Sequence, residues 1–266
     1  MNWLIDSVVQ VSVGFAHQGV ARLFPFRRQT HRPEVAWDIA GMLAGGLFVT
    51  AYYLCADPII AWLYDSSAMG SWRELITRFP AALMFAGNLI LLDFCMYWAH
   101  RILHTSAFWP THAWHHSSRF LYWASGLRGS FVHVVLLLAS ATIAHLIFPL
   151  NPDFGVAVLG YSLFHTINQH YLHSNIYLPY QHVLERVFVT PRAHFVHHSK
   201  NPILSNSNYG FVFSIWDRLF GTFTDPASVP EDDPLGIDYE ISNLRLLIGL
   251  PPRSDWRTSP VERPAK

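Results

Sequence analysis

Eight histidines in three boxes are where this sequence can do chemistry. His100 and His104 give HxxxH, His112, His115 and His116 give HxxHH, and His194, His197 and His198 give HxxHH again. A QHYLH segment, residues 169–173, lies between the second and third boxes. On a helix, residues three and four apart share a face. Each box therefore presents two or three imidazoles side by side. Imidazole is a common ligand for iron, zinc and copper. The boxes hold more ligands than one ion needs and suit two ions sharing a site.

The other histidines carry less information. His17, His31, His145 and His182 have no box around them and are read as structural or exposed. His133 and His165 lie in apolar runs. A structural reading comes first for both, with a supporting role at the site as the alternative.

The elements that must position the boxes are apolar runs. A bilayer core needs about 20 mostly apolar residues in a helix. Such runs occur from about residue 35 to 56, 79 to 99, 130 to 150 and 154 to 170. Asn151-Pro152-Asp153 reads as a tight turn, so the last two runs form a hairpin. Residues 1–20 are apolar but mixed; they read as an interfacial helix rather than a span, and lack the basic start of a secretory signal. Gly41 and Gly45 form a small-xxx-small pair, more often a packing face than a site. Cys55 and Cys95 sit in apolar stretches and read as free thiols.

Charge sets the orientation. Arg22, Arg27, Arg28 and Arg32 precede the first run, and Arg101, Arg119 and Arg128 follow the second. The positive-inside rule puts both segments in the cytoplasm. The second span and the hairpin then deliver all the boxes to the same membrane face. The expected fold is all-α: an integral, multi-pass membrane bundle of about four transmembrane helices, with a helical cytoplasmic cap carrying the histidines. The expected organisation is a membrane or interfacial segment at 1–78, a histidine-box core at 79–224 and a Pro-rich cytoplasmic tail at 225–266.

Composition agrees with lipid. Hydrophobic residues make up 51% and charged residues 14%, against about 25% charged in ordinary soluble domains. Mean hydropathy is +0.21. The formal net charge is zero, which leaves no basic field to hold nucleic acid.

Asp93 lies near the end of the second run and shares a helical face with Tyr97, His100 and His104. A carboxylate in lipid is costly and usually functional. The expectation is that Asp93 holds a ligating imidazole by its second ring nitrogen. Arg101 and Arg192 are candidates to pair with acidic groups or lipid head groups. Asn208 and Trp216-Asp217-Arg218 read mainly as structure.

The stretches DFCMYWAHRILH (93–104), HAWHH (112–116), HSN (173–175), TPRAHFVHH (190–198), NYG (208–210) and WDRLFGT (216–222) resemble the fatty acid hydroxylase/sterol desaturase superfamily, over roughly residues 80–224. That resemblance implies a membrane enzyme with two iron ions. It implies O2 as co-substrate and an external electron donor, cytochrome b5-like or ferredoxin-like. The reaction would hydroxylate or desaturate a fatty acyl chain, sterol or related lipid. It implies metal ligands at His100, His104, His112, His115, His116, His173, His194, His197 and His198. Relatives often carry a histidine where this sequence has Gln169. Either the adjacent His170 substitutes, or the site has one ligand fewer. Residues 120–128 are also more aromatic than in common members, which bears on the substrate. No HPGG-like segment marks a fused haem domain.

Two rival readings remain. A zinc-dependent membrane hydrolase needs an open metal and a general base such as the Glu of HExxH, and no HExxH is present. A non-enzymatic metal carrier would spread polar residues along several spans, whereas these histidines gather at one end.

Overall fold

The computed structural model describes residues 3–149 and 155–252. The chain is all-helical, in the order α1 (Trp3–Leu23), α2 (Val35–Asp65), α3 (Ser67–Ile76), α4 (Ala81–Leu103), α5 (Trp109–His116), α6 (Phe131–Ile147), α7 (Gly155–His173), α8 (Gln181–Leu184), α9 (Pro191–His197), α10 (Pro202–Ser205), α11 (Ile215–Leu219) and α12 (Asn243–Leu247). Among the described residues there is no β-strand. Two isolated bridges, Phe188 with Phe213 and Ser199 with Leu235, tie loops together.

Two described helices, α2 and α4, are long and apolar enough to cross a membrane. Only 6% of the apolar window of α2 is buried by the rest of the chain, against 33% for α4. The core helix of a water-soluble protein would be covered instead. Leu43, Leu47 and Leu54 of α2 are all exposed. The helix also runs on past its expected end near 56, through Pro58 to Asp65, because the apolar run resumes with Ile59, Ile60 and Trp62. Helix α6 is apolar but shorter, ending at Ile147. Pro149 explains the early stop, since the residue before a proline is disfavoured in helical conformation. The expected turn at 151–153 and residues 253–266 of the expected tail lie outside the described residues.

Helix α4 packs along α6, α6 along α2, and α7 against both α1 and α9. Leu92 and Met96 of α4, Ala144 of α6 and Leu172 of α7 meet Val189, Ala193, Phe211 and Val212 in one core. The ends of α4 and α7 and the short helices α5 and α9 thus converge at one end of the bundle. Residues 226–247 fold back over it. Leu246 packs with Ala113 and Trp114 of α5, and Leu235 with Leu121 and Phe195.

Candidate metal centre

Each box sits at a helix end that the sequence builds locally. His100 lies in the last turn of α4 and His104 is its C-cap. Pro110 sits in the first turn of α5, where its missing N–H costs nothing. The Thr190 hydroxyl caps α9 by accepting from the Ala193 N–H, and Pro191 follows. His173 ends α7. A Cβ on Gly126 would come within 2.5 Å of the His173 ring, so glycine is what lets that ring lie there.

The nine histidines gather into two clusters. His100, His104, His112, His116 and His197 form one; His115, His173, His194 and His198 form the other. Within each cluster the candidate ligand nitrogens lie within 4.8 Å of one another. The two HxxHH boxes are shared out crosswise. His112 and His116 serve the five-histidine cluster while His115, between them, serves the four. On α9 and its C-cap, His194 and His198 serve the four while His197 serves the five. The clusters abut, since the rings of His116 and His198 stack at 4.4 Å and those of His112 and His115 at 5.1 Å.

The inward nitrogens are spaced as a metal requires. Nε2 of His112 lies 3.2 Å from Nε2 of both His100 and His116. Nε2 of His173 lies 3.2 Å from that of His115 and 3.1 Å from that of His194, which lies 3.1 Å from that of His198. An ion about 2.1 Å from each nitrogen would hold neighbouring nitrogens roughly 3.0–3.4 Å apart in octahedral or tetrahedral geometry.

The outward nitrogens show that the His115–His173 contact is not an ordinary hydrogen bond, since both rings hold their protons on the far side. Nδ1 of His100 donates to the Tyr209 carbonyl at 2.9 Å, that of His197 to Ser207 at 2.8 Å, that of His115 to Arg128 at 3.2 Å and that of His173 to Gln169 at 2.9 Å. His104 meets the Asn206 side-chain oxygen at 3.3 Å. A carbonyl only accepts, so each of those four rings carries its proton on Nδ1 and presents a bare Nε2 lone pair inward. Nε2 of His104 and of His197 are buried without a protein hydrogen-bond partner. Buried bare acceptors crowded together fit a cation and little else.

Burial pushes His112, His115, His116, His194, His197 and His198 well below the usual histidine range, and neighbouring imidazoles push them further. These rings are therefore neutral at pH 7, the form that binds metal.

Other sequence candidates fall elsewhere. His170 lies outside both clusters: its Nε2 meets the Gln10 carbonyl at 3.0 Å and its ring packs on Trp123. The Gln169 side chain donates to the Gly126 carbonyl. His165 stacks on Phe211. His31 and His182 are exposed, and His17 and His145 bond to carbonyls of their own helices. His133 does reach the site, with Nδ1 2.9 Å from Nδ1 of His112.

Asp93 departs from its expected role. Its carboxylate accepts from the Val212 and Phe213 N–H groups and from Trp216 Nε1, at 2.7–2.9 Å, and touches no histidine. The reason is geometric: the 209–216 loop folds against this face of α4 and offers three donors. Asp217 grips the same loop through the Tyr209 and Gly210 N–H groups. Asn208, at φ 54°, bonds Ala193 and Thr224. These residues act on the site through the loop that carries the Ser207 and Tyr209 carbonyls. Arg192 pairs with buried Glu185 at 2.6 Å, and Arg101 donates to the Tyr97 hydroxyl.

Sequence reasoning missed the carbonyl partners, which leave no side-chain signal. It also missed a buried ion pair. Arg128 Nε meets Asp38 Oδ1 at 2.6 Å, and Tyr122 donates to Asp38 Oδ2 at 2.7 Å. Asp38 inside the first apolar run was the available signal.

Residues 85–222 match the fatty acid hydroxylase family model. The chain belongs to the fatty acid hydroxylase family. A relative aligned over most of both chains is the ornithine lipid hydroxylase OlsE of Rhizobium tropici, 31% identical over 91% of this chain and 73% of its own. The alkylglycerol monooxygenase of Caenorhabditis elegans is 32% identical over 62% of this chain and 31% of its own length. A very-long-chain aldehyde decarbonylase of Oryza sativa subsp. indica is 28% identical over 59% and 60%. The chain thus spans about a third of the length of the alkylglycerol monooxygenases it matches. No solved structure matches this fatty acid hydroxylase family member.

Proposed function

We propose that this chain is an integral membrane di-iron oxygenase that hydroxylates, or in the alternative desaturates, a lipid with O2 and electrons from an external cytochrome b5-like or ferredoxin-like donor. The observation that carries it is the pair of abutting clusters whose inward nitrogens face one another at 3.1–3.2 Å. The relatives' names add the substrate class: an ornithine lipid hydroxylase and alkylglycerol monooxygenases put oxygen on lipids, which favours hydroxylation over desaturation.

His100, His104, His112, His116 and His197 would hold one iron, and His115, His173, His194 and His198 the other. When bound, the iron pair supplies O2 activation and the removal of hydrogen from an unactivated carbon. The protein's part is positional. The carbonyls of Tyr209, Ser207, Arg128 and Gln169 keep four rings in the ligating tautomer. Burial of the clusters keeps water away. About four spans, α2, α4, α6 and α7, would bring both clusters to the cytoplasmic membrane face. A lipid could then enter sideways.

The test is lipid profiling of cells with and without the gene, grown under heavy-isotope O2. The expected result is a lipid carrying one atom of the heavy oxygen, or lacking two hydrogens, only where the gene is present. Identical lipid profiles, or oxygen taken from water, would refute the reading.

A further inference from the structure

We propose that His133 is a positioning residue for the five-histidine cluster: its Nδ1 accepts the Nδ1–H of His112 and so holds that ring with Nε2 bare and turned inward. The inference rests on the di-metal reading above and extends it to a tenth histidine.

His133 lies in the first turn of α6 and is buried. Its Nδ1 sits 2.9 Å from Nδ1 of His112. Two imidazole nitrogens at that distance share one proton, so one ring donates and the other accepts. The Nε2 of His112 meets two further nitrogens, those of His100 and His116, at 3.2 Å. His100 already carries its proton on Nδ1, facing the Tyr209 carbonyl. Unlike His100, His112 is therefore left with a choice. With its proton on Nε2 it would bond to His100 and could not ligate. With its proton on Nδ1 it can ligate, and then His133 must accept.

The outer acceptors of His100, His104, His115, His173 and His197 are oxygens, which fix the tautomer outright. His112 instead depends on a ring that can donate as well as accept. Residues 128–133 thereby serve both clusters, because the Arg128 carbonyl holds His115 while His133 meets His112. The ring of His133 lies 4.7 Å from that of His112 and 5.2 Å from that of His115.

The test is cobalt(II) titration of the full chain in detergent, with ion count and affinity read from cobalt absorption. The variants are His133→Asn, which sets its amide oxygen where Nδ1 lies, and His133→Leu, which has no acceptor. His133→Met replaces the leucine variant if that one does not fold. The wild-type chain should take two cobalt ions. The leucine variant should bind one of them about 10–100-fold more weakly and the other unchanged, and the asparagine variant should recover most of the loss. Equal affinity in the wild-type and leucine chains overturns the inference alone, as does an asparagine variant no better than leucine. A wild-type chain unable to take two ions would remove the di-metal reading, and this inference with it.

Discussion

His115 and His173 face each other Nε2 to Nε2 at 3.2 Å, while the Nδ1 of each donates to a backbone carbonyl. Neither inward nitrogen then carries a proton. Two lone pairs at that distance repel unless a cation lies between them. Metal should therefore stabilise the fold as well as supply chemistry. At free metal about 100 times its Kd the gain is about 2.7 kcal/mol. Chelation should lower the Tm and added ferrous iron should restore it. A Tm indifferent to chelator in a chain shown to have lost its metal would argue against the centre.

The crosswise sharing of the boxes makes a second expectation. His115 belongs to the four-histidine cluster and His197 to the five. His115→Ala leaves three nitrogens for its ion, and His197→Ala leaves four. Both variants should lose activity, but His115→Ala should retain about one iron per chain while His197→Ala retains closer to two. Metal analysis of the purified variants reads this directly. Equal metal content in both, or full activity in either, would contradict the assignment.

The spacing of the boxes marked the residues that the fold gathers, but not how it divides them. In HxxHH the first and last residues lie four apart and the middle one next to the last. The middle ring turns to whichever helix faces that side, which only tertiary packing decides. His170 and Gln169 illustrate the same limit. They neighbour His173 in sequence, yet one rotates towards α1 and the other towards Gly126. Asp93 was legible as important because a carboxylate in an apolar helix needs partners, but those partners are backbone N–H groups of a distant loop. The α2 and α4 helices were legible from apolar length alone.

Asp93→Asn should therefore behave as a folding variant. The carboxylate accepts three N–H bonds, and an amide must turn one donor towards another. An unsatisfied buried group costs about 1–3 kcal/mol. The expected result is a lower Tm with near-normal iron per folded chain. Normal Tm with selectively lost iron would instead favour a direct role on the metal.

Arg128 should be sensitive for a related reason. Its side chain is fully buried against Asp38, itself buried at the start of α2. Removing one partner of a buried pair costs about 3–5 kcal/mol. Arg128→Met should be strongly destabilised, and Arg128→Met with Asp38→Asn should recover part of the loss. Additive losses in the double variant would show that the pair is not coupled.

Metal binding should also be flat with pH through the ordinary histidine range near about 6.5. Burial lowers the six α5 and α9 rings well below that range. Protons compete with metal only below the folded-state pKa, so competition is displaced to more acidic solution. Affinity measured by chelator competition should change little on either side of neutrality. Loss of one or more protons per metal near pH 6.5 would mean rings that are exposed and normally basic.

The most direct measurement is iron content combined with X-ray absorption at the iron edge, on the full chain loaded with ferrous iron in detergent. The expected result is about two irons per folded chain, one for each cluster, in a shell rich in imidazole nitrogen with a second iron nearby. A single tightly held zinc that iron cannot replace, or iron in a shell of carboxylate oxygen, would contradict it.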